Sequence, residues 1–590
     1  VVSVRGYRGI ITGILVLLLV VGLVITPIEQ LIIKAESYSS PIVIIDNNYN
    51  IPYIKGGNGT KESPYIIENV TISVSGEPAL MIENSNKYIL IRNVTLISRN
   101  YKAVVQFYNT SNVILRNVRI CGEMSDYGIL LNNVSQASFL NLTINGTLAP
   151  LLFTSPNDLR NAFKNVLFYG KKVLIITDRS NIILSGTYAQ IFLYNVENAT
   201  LDGVSIAAGG IEFINFGLWV SKAIGLVIEN SAIKAARAVT IESSRNVTIK
   251  NSTLVFTNYG ISIENSRYVI ISNVAHVANM KNVALRIRGS SEVFIRKLRL
   301  NSIGLSVVNS KDVIISEVKI SENGINIERS KDIRLINVEI MNNKVTSLEI
   351  SSSESIYIKG LVMKNIRFVY GINVEKEERV NAFVMKFVKD ITVESSIIQN
   401  VYAGIVIISG NGITLRNTTI YDAVIGLEGY YMNNLTVLDS YVAKIVSVGL
   451  RVMYSNNVVI SASKFSKISV TGIEFSSVKN AKVEHNVFEN IKNYVVEDSQ
   501  HYYLHNYWDK YTGEDKNGDG YGDEKFQVTS FSWDPAPSIE KTTNPPAPAP
   551  EIPRSWLSGE NIILIGIIII LVVVIIFNVI YYTKTRRERL

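Results

Sequence analysis

Two stretches of this chain carry residues of the type and spacing that chemistry needs. In "EDKNGDGYGDE", Glu514 to Glu524, Asp515, Asn517 and Asp519 stand at alternate positions, followed by Gly520 and Asp523. That pattern is the first half of a calcium loop: side-chain oxygens at positions one, three and five, a turn glycine, the backbone carbonyl of Tyr521 at seven and Asp523 at nine. Position twelve is Phe526, where a helix-loop-helix site needs a bidentate Glu, so the expectation is calcium in a loop outside that fold, weighed against a plain acidic turn. In "RIRGSSEVFIRKLRL", Arg286, Arg288, Arg296 and Lys297 form a basic cluster, one member of which could serve as a base. His501 and His505 are four apart, a metal-ligand spacing on a helix but not on a strand. No phosphate-cradling loop or nucleophile elbow is present, so no nucleotide cofactor is expected.

The elements that must position these residues are given by a repeat. Gly304 and Gly324 match, Ser310-Lys311-Asp312 returns as Ser330-Lys331-Asp332, and Val318-Lys319-Ile320 returns as Val338-Glu339-Ile340. A fixed short period marks a solenoid. Within each unit the apolar residues alternate in short bursts, such as Leu305/Val307, Val313/Ile315 and Val318/Ile320, so they form strands with one face buried. The turns are too short for strands to pair within a unit. Each must pair with its counterpart one unit later, and the result is an all-β parallel β-helix. The glycine phrase recurs at Gly128, Gly260, Gly404, Gly449 and Gly472. At roughly 22 residues per coil the span holds on the order of 19 coils and makes a rod ~90 Å long. Ile271, Ile295, Ile315 and Leu335 are expected to stack in one core column.

Aligned coils give the basic cluster a second meaning. Arg288 falls above Glu264, Lys297 beside Glu317 and Lys319 beside Glu339, as in outward charge ladders. Glycoside hydrolysis needs two carboxylates facing one groove. Glu264 and Glu328 share a column but are separated by Arg288 and Val308, which disfavours a glycosidase. The repeat breaks at "TSPNDLRNAFKNVLFYGKK", where Ser155 can cap, Pro156 suits a first turn and Gly170 can end a run; a helical insertion is expected near 155–170. The aromatic run Tyr502, Tyr503, Tyr507 and Trp508 reads as a cap over the last coil before it reads as a sugar platform. The single Cys121 permits no intrachain disulfide and is expected to be buried.

Both ends carry membrane signals. Arg5 and Arg8 precede an apolar run over 9–28, which suits a signal peptide or signal anchor. The apolar run from Ile562 to Tyr582 is long enough to span a bilayer, and Lys584, Arg586, Arg587 and Arg589 follow it, which puts the tail inside and the rod outside. The expected organisation is a signal or anchor at 1–35, a cap at 36–68, the β-helix at 69–506, a C-terminal cap with the calcium-like loop at 507–535, a proline-rich linker at 536–560, a transmembrane helix at 561–582 and a cytoplasmic tail at 583–590. Sequons at Asn58, Asn69, Asn93, Asn109, Asn133, Asn141, Asn145, Asn198, Asn246, Asn251, Asn417 and Asn434 agree with an outside location, although Asn-rich turns generate some by chance. The formal charge is +8; the tail contributes +3 and the N-terminal region +2, leaving +3 for the rest, so nothing asks for nucleic acid.

The opening "GGNGTKESPYIIENVTI" (Gly56 to Ile72), the Gly-Asn-Ser-Lys-Asp coils and the ending "HNYWDKYTGEDKNGDGYGDE" together resemble right-handed parallel β-helix repeat proteins of the pectin-lyase-like superfamily, in particular NosD-like archaeal surface proteins. The resemblance implies a right-handed β-helix; the superfamily holds lyases, hydrolases, adhesins and scaffolds, so function follows only loosely. NosD-like proteins act in copper delivery, and this chain has no evident soft-metal cluster. Sugar-acid lyases of this fold use arginine or lysine as base with calcium nearby. The leading expectation is a membrane-anchored surface rod that binds or scaffolds envelope polysaccharide, glycoprotein or surface-layer components. The rival is a polysaccharide lyase or other carbohydrate-active enzyme using Arg286, Arg288, Arg296 or Lys297; an accessory metal or transporter protein comes third.

Overall fold

The computed structural model describes residues 36–207, 216–278, 283–301, 304–366 and 380–541. The apolar segments 9–28 and 562–582 and the spacer beyond Lys541 lie outside these residues, and no helix among the described residues is long and apolar enough to cross a membrane. The chain winds into a right-handed parallel β-helix of about 18 turns. Each coil contributes to three sheets. Gly304–Val308 lies in the first, and Lys311–Ser321 runs along the second and bends at Glu317 into the third. Ile271, Ile295, Ile315 and Leu335 align in register as the repeat implied. All four are buried.

Ladder pairing begins earlier than residue 69, since Glu36–Tyr38 already pairs in parallel with Val70–Ile72 and Ile42–Ile45 with Leu80–Glu83. The corners explain the composition. Asn251, Asn273, Lys297, Glu317 and Asn337 occupy one corner in successive coils, each with φ between 48° and 57°. Asn tolerates that left-handed backbone at low cost and donates along the stack, as Asn273 does to Asn251 at 2.9 Å. At another corner, a buried spine runs through Ser244, Ser266, Ser290, Ser310, Ser330 and Ser353. Each backbone N–H in it donates to the hydroxyl of the next coil. The recurrent glycine has a steric cause. A Cβ on Gly404 would lie 2.5 Å from the Gly426 carbonyl oxygen, and one on Gly426 2.3 Å from that of Gly449.

The expected helix at 155–170 does not form. Ser155 caps and Pro156 opens the turn as anticipated, but only a 3-10 turn, Pro156–Arg160, follows. The buried Asp158 accepts from the backbone N–H of Val134, and Ala162–Phe168 then joins the ladder beside Ser138–Phe153. Burial of Val166 and Phe168 along a strand outweighs a local helix signal. Gly170, at φ 75°, turns the chain into Lys171–Tyr188, which pairs antiparallel at its start and in parallel with Gln190–Ala207. The core divides at this reversal, one cluster running from Ile42 to Tyr194 and the other from Ile191 to Trp508.

Candidate functional site

The reversal opens a cleft of about 290 Å³ between the two core regions. One wall is Leu151 to Pro156 with Leu159; the other is Phe192, Phe216, Trp219 and Glu242 from successive coils of the first sheet. Phe192 and Trp219 are register neighbours on its outward face. The Phe153 ring meets Phe192 edge to face at 5.2 Å, Phe192 lies 6.4 Å from Trp219, and the Arg237 guanidinium sits 4.9 Å over Phe216. Beyond Trp219 the same outward column continues with the small residues Thr240 and Ser262.

Beside that column run Ser221, Glu242, Glu264 and Arg288 in successive coils. Glu242 and Glu264 are direct register neighbours, one coil apart. Burial pushes the Glu242 carboxyl above the ordinary carboxylate range; the Trp219 indole, donating at 3.2 Å, opposes the shift and the charge of Glu264 adds to it. Glu264 accepts from the Ser262 hydroxyl at 3.3 Å and faces the Arg286 guanidinium at 3.9 Å. The arrangement can stack a flat apolar ring face on aromatic carbons while offering two adjacent carboxyl groups beside it.

The paired carboxylates judged missing from the sequence are therefore present. Their signal was legible, since "VTIESSRNVTI" from Val239 and "ISIENSRYVII" from Ile261 align with Glu242 against Glu264. The basic cluster is not brought together. Arg286 and Arg288 project from the first sheet, Arg286 also lying 5.6 Å over Tyr259. Arg296 is exposed on the second sheet between Ser272 and Ser316. Lys297 stands at a corner and lines a separate polar groove of about 800 Å³ with Arg299, Glu317 and Glu339. There the expected ladder is realised by Lys319 and Glu339 at 2.7 Å.

Asp515 accepts from the backbone N–H groups of Gly518, Asp519 and Gly520, which, Gly520 foremost, hold its carboxyl below the usual range. Asn517 donates to Asp519 at 3.1 Å and to Asp523 at 3.4 Å, so these three side chains turn toward one another, while Tyr521 forms a bridge to Ser538. Among the described residues, no group of three or more His, Cys, Asp or Glu side chains is placed to hold a metal. His501 is buried against Phe475, whereas His505 meets His485 at 3.4 Å and stacks on Tyr521 at 3.8 Å. His276 is buried with neither ring nitrogen hydrogen-bonded among the described residues, and burial pushes it down to about 4. Tyr503 and Trp508 are buried, and Trp508 stacks on Phe488 at 4.4 Å, in keeping with a cap. Cys121 is only half-buried, because it takes an outward position between Ile97 and Asn145.

The sequons follow the corners. Asn109, Asn133, Asn141, Asn198, Asn417 and Asn434 donate their side-chain nitrogen to the preceding coil. Asn93 and Asn251 accept within such ladders, Asn69 and Asn246 share the left-handed corner backbone, Asn145 pairs with Cys121 on a strand, and Asn58 lies in a loop where it accepts from Thr60. Stacking thus supplies a structural reason for most of these asparagines.

The family described as right handed beta helix region matches residues 381–506. Among solved structures the chain is similar to the catalytic domain of a GH87 alpha-1,3-glucanase in complex with nigerose (11% identity, TM-score 0.34, 55% of this chain and 63% of that one). It is also similar to the Family 28 exopolygalacturonase of Yersinia enterocolitica (9% identity, TM-score 0.30, 59% and 78%). A third is PfbA, a surface adhesin of Streptococcus pneumoniae (13% identity, TM-score 0.22, 73% and 91%). The chain thus spans 63% of the length of the glucanase domain. No curated protein matches it.

Proposed function

We propose that this protein is a surface rod that binds envelope polysaccharide through the cleft beside Trp219, held at the membrane by the apolar segment at 561–582. The observation that carries this reading is the junction itself. Phe153, Phe192, Phe216 and Trp219 present aromatic carbon in one concave site, with the Glu242 carboxyl hydrogen-bonded at its edge. Aromatic faces with a few placed polar groups suit sugars, which offer apolar C–H faces and a rim of hydroxyls. Glycoprotein glycans and surface-layer components carry the same chemistry. On this reading the calcium-like loop at 515–523 is a structural ion site of the cap, and kinship with NosD-like surface proteins concerns architecture rather than copper.

The test is affinity electrophoresis of the full-length chain through gels containing envelope polysaccharide. Trp219→Ala is expected to abolish retardation. Tyr431→Ala, which removes half of an exposed stacked pair with Tyr454 elsewhere on the rod, is expected to leave it intact. Loss in the second variant and not the first would move the binding site away from the cleft.

A further inference from the structure

Among the outward glutamates of the first sheet that the structure describes, Glu242 and Glu264 lie side by side in register, and Glu242 lines the cleft. We propose that they are the acid and the nucleophile of a glycoside hydrolase that cleaves neutral polysaccharide; the step rests on the glycan-binding reading and extends it. Positions in register on neighbouring parallel strands are ~4.8 Å apart. That matches the ~5–5.5 Å between carboxyl groups of retaining glycosidases, and leaves too little room for the intervening water of an inverting one.

Their surroundings separate the two roles. Glu242 is half-buried, and burial together with the charge of Glu264 favours its protonated form despite the Trp219 hydrogen bond. Oε1 accepts from the indole, which leaves the other oxygen to carry the proton when the group is protonated. Glu264 is one-third exposed, with the Arg286 guanidinium at 3.9 Å and the Ser262 hydroxyl donating at 3.3 Å, contacts that orient its oxygens beside Glu242. In the first step Glu242 gives its proton to the glycosidic oxygen, the bond from that oxygen to the anomeric carbon breaks, and a Glu264 oxygen bonds to that carbon as an ester. In the second, the Glu242 carboxylate takes a proton from water, the water oxygen displaces Glu264, and the sugar leaves with its original anomeric configuration. Both carboxyl groups are restored and one water is consumed.

The same charges argue for the substrate class. A uronate or other acidic sugar would bring a further negative charge beside two carboxyl groups, with Arg286 the one cation paired to them among the described residues. A neutral chain meets no such repulsion, and its ring faces suit Phe192 and Trp219.

The full-length chain would be incubated with dextran, amylose, mannan, xylan and polygalacturonate, with gel retardation and new reducing ends measured in parallel. The expected result is new ends from one of the neutral polymers, reduced at least 100-fold in Glu242→Gln and in Glu264→Gln while both variants keep the wild-type far-UV circular dichroism of a folded rod. Azide added to Glu264→Ala should restore cleavage and yield a glycosyl azide, which a merely structural glutamate would not do. Retardation without new ends in the wild type would overturn hydrolysis and leave the binding reading standing. Absence of both would overturn the binding reading as well. New ends that survive both glutamine variants, or that arise only from polygalacturonate, would overturn the assignment of residues or of substrate class respectively.

Discussion

Two regions of the first sheet handle outward charge in opposite ways. Toward the C-terminus, Glu428, Arg451 and Glu474 follow one another in register, and Arg451 bonds to Glu428 at 3.0 Å and to Glu474 at 2.9 Å. Near the core junction, Glu242 and Glu264 follow one another with no cation between them, and the nearest guanidinium, Arg286, stands at 3.9 Å from one of the pair. Parallel stacking puts like residues ~4.8 Å apart, so a β-helix gains by alternating sign along each column. A column that keeps two acids adjacent forgoes this gain. Such departures gather where a perturbed carboxyl group has a task, and here the departure borders the aromatic cleft.

Breaking the two regions should therefore change stability in opposite directions. Arg451→Met leaves two carboxylates, one coil to either side of it and at side-chain exposures of 17% and 27%, without their shared cation. Loss of one partner from a buried ion pair costs ~3–5 kcal/mol, and partial exposure brings the expected cost to about 2–4 kcal/mol by chemical denaturation at pH 7. Glu242→Gln removes one of two repelling acids and keeps an oxygen to accept from Trp219. Its expected effect is between zero and a gain of about 1 kcal/mol. A large loss in Glu242→Gln would mean that the pair stabilises the fold and that the contrast between the regions is false.

Acid sharpens the same contrast. Glu489, near the C-terminal end, is held down to about 2: burial would raise it, but hydrogen bonds from Lys464 and Lys541 outweigh that cost. A carboxyl group depressed in the folded state stabilises fully above its unfolded value of 4.5 and loses that contribution as pH falls toward about 2. Glu242 is shifted the other way, so protonation at falling pH relieves rather than harms the fold. Glu489→Gln is expected to cost roughly 2 kcal/mol at pH 7, after allowance for screening, and to flatten the stability profile between pH 4.5 and 2. Glu242→Gln should leave that acid limb in place.

The architecture was readable because its causes are periodic. The glycine phrase reports the close approach of Gly404 to the carbonyl of Gly426, and the Asn and Ser turns report corners that recur in every coil. What escaped the sequence is aperiodic. Ser155 and Pro156 are genuine helix-start residues, yet pairing of Ala162–Phe168 with the preceding coil overrides them. Phe153, Phe192, Phe216 and Trp219 meet because the chain reverses at Gly170, and no spacing rule places residues across a break in a repeat. The Glu242 and Glu264 pair was visible in principle. It becomes legible when Glu264 is aligned with the coil before it as well as with the coils after it.

The cap extends the comparison to acids with neither a ladder partner nor a cleft. Asp515, Asp519 and Asp523 lie on an exposed loop that follows the last buried ring, Trp508, and their negative charge is met by backbone N–H groups and by Asn517. If calcium binds there, a cation supplies from solution what Arg451 supplies from the chain. At ~1 mM calcium and the ~10⁻⁴–10⁻³ M affinity of extracellular modules, mass action gives about 0.5–1.5 kcal/mol. Chelation should therefore lower the melting temperature by a small, calcium-reversible amount. Asp515→Asn together with Asp519→Asn should remove that response without changing the acid limb set by Glu489. A melt unmoved by chelator would make the loop an acidic turn held by its own hydrogen bonds, and would confine charge compensation in this rod to the stacked columns.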